Sequence, residues 1–94
     1  MSAPAPSGES RPRLPRGVRL KHDTVRGEWL LLAPERVVKA NAVAVAVLER
    51  CDGARTLDDI VDDLTKTYSA ARETIERDVK KLIGDLATKR MVDL

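Results

Sequence analysis

The rhythm of polar and apolar positions changes twice along the chain. Near the start, "GVRLKHD" sets Val18 and Leu20 against Arg19 and Lys21, the two-residue alternation of a half-buried strand. "TVRGEWLLLAPE" follows, with Arg26-Gly27 as a turn and a second strand over Glu28 to Ala33. Pro34 closes that strand, because proline has no amide to donate to a ladder. A third, short strand is expected over Arg36 to Lys39. "NAVAVAVLERCDG" then reads two ways: Val43, Val45 and Val47 alternate with alanines as in a strand, whereas Val43, Ala44, Val47, Leu48 and Cys51 share one helical face. Asn41 as an N-cap and Gly53 as a C-terminal stop favour the helix.

Beyond Gly53 the period is helical. Thr56-Leu57-Asp58-Asp59 has the spacing of a capping box, with acids in the first turn, where the helix dipole favours them. Ile60, Val61, Leu64 and Tyr68 make the buried stripe of this second helix. In the last helix Ile75, Val79, Leu82, Ile83 and Leu86 recur on one face, with Arg72, Glu73, Glu76, Arg77, Lys80 and Lys81 mostly opposite. It is expected to end near Lys89, with Met91 and Leu94 closing the core. Three short strands followed by three helices, with a tight Asp-Gly turn between the first two helices, predict an α+β domain of winged helix-turn-helix type, its three-stranded antiparallel sheet preceding the helices.

Length limits what such a domain can hold. Ninety-four residues make one domain at most, too small for a deep, enclosed active site. "MSAPAPSGESRPRLP", residues 1–15, is rich in proline, alanine and serine and has no periodic apolar face. It reads as a disordered tail or linker, leaving residues 16–94 as the domain. A lone cysteine forms no internal disulfide, and neither a signal peptide nor a membrane-spanning run is visible, so a soluble cytoplasmic protein is expected.

Charge narrows the partners. The net charge is +2, but residues 1–40 hold eight Lys/Arg against four Asp/Glu, while residues 41–94 hold nine against eleven. Trp29 and Tyr68 are the only aromatics other than His22, so no stacking platform for single-stranded nucleic acid exists. A winged-helix DNA-binding protein is the alternative reading, since fold does not fix function. Against it, the second helix carries Asp58, Asp59, Asp62 and Asp63 where phosphate contacts would demand cations.

Chemistry finds no constellation. A thiolate at Cys51 needs a base, and His22 sits in a predicted strand with no triad-like spacing to it, so Cys51 reads as a small buried hydrophobe. The four aspartates do not match an EF-hand loop and read as a cap and a solvated face. One histidine and one distant cysteine make no zinc set. Trp29 reads as a core plug before a partner surface. No catalytic residue, metal or cofactor is expected.

The blocks "PRGVRLKHD", "WLLLAPERVV", "LERCDGARTLDDIVDDL" and "RDVKKLIGDL", in this order and spacing over residues 12–94, resemble the PqqD family of peptide chaperones from pyrroloquinoline quinone biosynthesis. Ala40 departs from the leucine that this family tends to carry before the asparagine opening the first helix. The family is similar to RiPP recognition elements, which bind the leader of a ribosomally made precursor peptide and present it to a modifying enzyme. The resemblance implies the precursor peptide PqqA and the radical SAM enzyme PqqE as partners, with no nucleic acid or membrane. The protein would hold the peptide and do no chemistry.

A site follows from that implication. In a three-stranded meander the third strand is an edge, and its free backbone groups over Arg36, Val37, Val38 and Lys39 can accept an extended peptide as a fourth strand. The last helix is expected to form the other wall through Ile75, Val79 and Leu82, with Arg72 and Lys80 meeting peptide carboxylates at the rim.

Overall fold

The computed structural model describes residues 6–94. Three strands, β1 (Arg19–Asp23), β2 (Glu28–Ala33) and β3 (Arg36–Ala40), precede three helices, α1 (Ala42–Leu48), α2 (Leu57–Thr67) and α3 (Arg72–Thr88). The sheet is an antiparallel meander in the order β1-β2-β3. The Asp23 carboxylate accepts from the amides of Val25 and Arg26 at 3.1 and 3.3 Å, and Gly27 takes the left-handed conformation at φ +67°. The predicted Arg26-Gly27 turn is thus built from an Asx turn and a glycine.

Alternation sorts the sheet into two faces. Leu31 pairs with Leu20 on one side and Val38 on the other, and this row faces the helices. Leu31 is fully buried, while Leu20, Ala33, Val38 and Ala40 pack half-buried around it. Leu30 and Leu32 point the other way, among Arg19, Lys21, Val37 and Lys39. Trp29 is half-buried at the end of the sheet and stacks on His22, with ring centroids 4.6 Å apart. It is a rim residue rather than the core plug expected.

The ambiguous alanine-valine segment is a helix. Asn41 caps it, its side chain accepting from the Ala44 amide at 2.8 Å. α1 stops at Leu48, short of Gly53, and its last turn tightens through Arg50 N–H to Val47 O and Cys51 N–H to Leu48 O. Gly53 is left-handed at φ +79° as its sequence context predicts, but it does not cap α1. Its amide donates to Pro12 O, and a Cβ there would come within 3.3 Å of the Arg13 Cβ. Asp52 completes the turn by accepting from the Ala54 and Arg55 amides.

α2 opens with the predicted capping box: the Asp59 amide donates to Thr56 Oγ1 at 3.1 Å, and the Thr56 amide to the Asp59 carboxylate at 3.0 Å. Leu57, Ile60, Val61 and Leu64 of α2 and Val79, Ile83 and Leu86 of α3 are buried with Ala44, Val47, Leu48 and Cys51. Two residues expected in this core are not in it: Val43 is 57% exposed and Tyr68 47%. Tyr68 lies beyond the last turn of α2, where its extended backbone swings the ring outward. After α3 the core closes with Met91 and Val92, not with Leu94, which is exposed.

The expected tail over residues 1–15 meets a defined geometry from Pro6 onward; Met1 to Ala5 lie outside the described residues. Pro12 is fully buried and Leu14 packs on the core. Arg13 and Asp93 exchange both backbone hydrogen bonds at 2.9 Å. Ser10 O and Gly8 O accept from the Leu57 and Asp58 amides, which the capping box leaves without a partner. Residues 8–13 therefore form a strap across the start of α2 and the end of the chain.

Candidate functional site: the β3 edge and the groove beside it

The hairpin between β2 and β3 turns in two residues, Pro34 and Glu35, with Ala33 opposite Arg36. Such a turn makes its flanking residues a hydrogen-bonded pair, and pairs alternate along an antiparallel ladder. Arg36, Val38 and Ala40 therefore point their backbone groups toward β2, leaving those of Val37 and Lys39 directed outward. Val37 is also 62% exposed in its side chain, whereas Val38 belongs to the core face. The four edge residues named from the sequence thus divide into two that offer hydrogen bonds and two that hold the sheet together.

Between the helices lies an apolar pocket of about 200 Å³, which reaches Val43, three residues past the end of β3. Val43 and Ala46 of α1, Leu64 at the end of α2, Tyr68, and Ile75 and Val79 of α3 line it. Two of the predicted α3 residues, Ile75 and Val79, are therefore brought to a cavity. Leu82 lies one turn further on the same face and packs half-buried against the core. Val43 and Tyr68, read from sequence as core, are the walls that sequence reasoning missed. Their signal was present but misassigned, because an apolar residue on a helical stripe looks alike whether it fills a core or lines a groove.

The two basic residues placed at the rim are both engaged with carboxylates of the helices. Arg72 forms ion pairs with Asp58, at 3.7 Å, and Asp62 on α2. Lys80 pairs with Glu76 at 2.9 Å and stands about 140° around α3 from Ile75, well away from the pocket. Lys39 reaches Glu28 at 3.4 Å across the outer face of the sheet. At the opposite end of β3, Arg36 borders a cleft with Arg16, Lys89 and Arg90.

The aspartates of α2 are each engaged in the fold. Asp63 accepts from Arg50 Nε at 2.5 Å, and that hydrogen bond holds its carboxyl below the usual range. Asp59 is lowered by its hydrogen bonds with Thr56, and Asp52 by the amides of Arg55 and Ala54. Among the described residues no three His, Cys, Asp or Glu side chains are grouped to hold a metal ion. Burial, with a smaller contribution from Asp52, pushes the Cys51 thiol up to about 12. Its Sγ donates to Val47 O at 3.3 Å, so it is a protonated core side chain at neutral pH rather than a nucleophile.

A family model described as "Coenzyme PQQ synthesis protein D (PqqD)" matches residues 28–92, which include the edge, the pocket and the core. The chain belongs to the PqqD family. A PqqA binding protein of Rhodopseudomonas palustris (strain TIE-1) is 49% identical over 83 residues, covering 88% of this chain and 81% of that one. The solution NMR structure of the PqqD truncation of Methylobacterium extorquens PqqCD, described as a stand-alone RiPP recognition element, superposes with a TM-score of 0.87. It is 45% identical and both chains are covered completely. The crystal structure of PqqD from Xanthomonas campestris gives 43% identity and a TM-score of 0.61, covering 94% of this chain and 98% of that one. The PqqD family assignment and the three-strand, three-helix fold agree with the sequence reading.

Proposed function

We propose that this protein binds the leader region of the PqqA precursor peptide as a fourth strand on β3 and presents it to the radical SAM enzyme PqqE in the cytoplasm. It acts as a binding module and contributes no chemistry of its own. The observation that carries this reading is the open edge of β3, where Val37 and Lys39 direct their backbone groups outward, and the apolar pocket that begins at Val43 just past it offers a place for a peptide side chain. Relatives named for PqqA binding support the choice of peptide. Among the described residues no helix is long and apolar enough to cross a membrane. The acidic face of α2, tied up with Arg50 and Arg72, speaks against the DNA-binding alternative.

Magnitudes show why both features are needed. Val37 and Lys39 offer four backbone groups, worth about 2 to 6 kcal/mol at about 0.5 to 1.5 each. Ordering a disordered peptide costs about 2 to 5 kcal/mol, so strand addition alone roughly breaks even. An apolar side chain entering the pocket adds about 1.5 to 3 kcal/mol and makes the complex selective. Binding therefore depends on Val43, Tyr68, Ile75 and Val79 as much as on the edge.

Amide chemical-shift mapping with PqqA peptide tests the site, with shifts expected over 36–43 and 68–82. Val37→Pro removes an outward donor and should weaken binding while the fold persists. Val38→Pro removes a donor to β2 and should disrupt the sheet itself. Shifts confined to 55–66, or full binding by the Val37→Pro variant, would overturn the proposal. Titration calorimetry should find PqqE binding to the preformed peptide complex; competition between peptide and enzyme would contradict presentation.

A further inference from the structure

Four cations meet at the Arg36 end of β3. Arg16 before β1, Arg36 at the start of β3, and Lys89 and Arg90 after α3 line one open cleft of about 360 Å³, floored by Met91. The acid among its lining residues is Glu35. None of the four cationic side chains makes an ion pair or a hydrogen bond among the described residues. Arg13, Arg50, Arg55 and Arg72 each have a carboxylate partner. Arg19, Lys21, Arg26, Lys66 and Lys81 form no ion pair among the described residues but stand apart from the cleft, so the gathering of four cations in one cleft is what marks it.

Arg90 is also the described non-glycine residue with a left-handed backbone, at φ 59°. Its amide donates to Ala87 O and that of Met91 to Leu86 O, the paired hydrogen bonds of a Schellman motif. Glycine is the usual occupant of this position, because a Cβ there crowds the backbone. The helix dipole at the end of α3 accounts for a cation at Lys89 or Arg90. It does not account for Arg16 and Arg36, which arrive from the other side of the cleft on separate elements.

We infer that this cleft is an acidic-side-chain subsite of the peptide groove, in which Arg36 and Arg90, with Arg16 and Lys89, receive a carboxylate of the bound precursor. The inference rests on the peptide-binding reading above and adds its second specificity determinant. The groove then has an apolar end at Val43 and Val79 and a cationic end at Arg36 and Arg90. From Val79 to Lys89, α3 rises about 15 Å at about 1.5 Å per residue, the reach of some four to five residues of extended peptide. A cognate peptide therefore carries its apolar anchor and its Asp or Glu about five residues apart.

The test uses fluorescence polarisation with labelled PqqA peptide and a copy in which every Asp and Glu is changed to Asn or Gln. The double variant Arg36→Gln, Arg90→Gly should bind the acidic peptide about tenfold more weakly, with a flatter salt dependence, and the amide peptide as wild type does. Arg90→Gly alone should weaken acidic-peptide binding while raising Tm by about 2 to 6 °C, since glycine relieves the left-handed position. A purely structural role for Arg90 cannot produce those opposite signs. Unchanged binding of the acidic peptide by the double variant would overturn the subsite and leave strand addition intact. Equal losses for both peptides would overturn it too, by placing the effect elsewhere than on carboxylates. If wild type binds neither peptide, the peptide-binding reading itself fails.

Discussion

The helical half and the sheet of this domain are built to different standards. Among the described residues, Leu31 is the only member of the fully buried core cluster that lies in the sheet; the others come from α1, α2, α3 and the segments that follow α1 and α3. The sheet exposes Val37, half-exposes Leu30 and Leu32, and leaves the outward backbone groups of β3 free. Stability is concentrated where the helices interlock, and the strand edge proposed to take the peptide belongs to a sheet that contributes little to the buried core. A long, flat edge would be an aggregation hazard, and here β3 is kept to five residues and carries Arg36 and Lys39.

The largest expected effects break this contrast if they fall on the wrong side. Ile60→Ala, in the fully buried center of α2, should cost about 2 to 5 kcal/mol in urea denaturation. Leu32→Ala on the outer face of the sheet should cost less than about 1 kcal/mol by the same measurement. Comparable losses would mean that the sheet carries load that burial does not reveal. Gly53→Ala forces a side chain onto φ +79° and against Arg13, and should cost about 1 to 2 kcal/mol through strain and a displaced strap. Hydrogen exchange should then accelerate at Leu57 and Asp58 before the rest of α2.

Smaller effects sharpen the comparison. Thr56→Ala should cost about 1 kcal/mol by loss of the cap, with no change at the β3 edge. The carboxyls of Asp52, Asp59 and Asp63 are held below their ordinary range in the folded state, so they stabilise it above their unfolded pKa of about 4. That contribution is lost as pH falls through the lower folded values. Tm should be nearly flat from pH 7 to pH 5 and decline below about pH 4, less steeply in the Asp59→Ala variant.

Local chemistry was the most legible part of the sequence. Asn41, Thr56 with Asp59, and Arg26-Gly27 each encode a cap or turn within a few residues, and each forms as read, the last with the Asp23 carboxylate as an added acceptor. What escaped is non-local. Gly53 announces a left-handed backbone, but only the strap running past it explains why the bend sits five residues beyond α1. Residues 8–13 have no apolar period because they are held by backbone hydrogen bonds, which composition does not record. Arg72 looks like a rim cation until α2 brings Asp58 and Asp62 beneath it. Among the predicted site residues, Ile75 and Val79 reach the pocket for a reason that pattern can show, while Val43 and Tyr68 reach it only because α1 and the end of α2 stop short of closing the groove.

The strap imposes an order on how the chain acquires its structure. Arg13 and Asp93 are 80 positions apart (93 − 13), so their two hydrogen bonds close a long loop. Loop-closure entropy disfavors such a contact until the residues between are already compact. During synthesis Arg13 emerges long before Asp93 and must wait for it before the two can pair. Detachment of the strap would leave the Leu57 and Asp58 amides at the capped end of α2 without their acceptors.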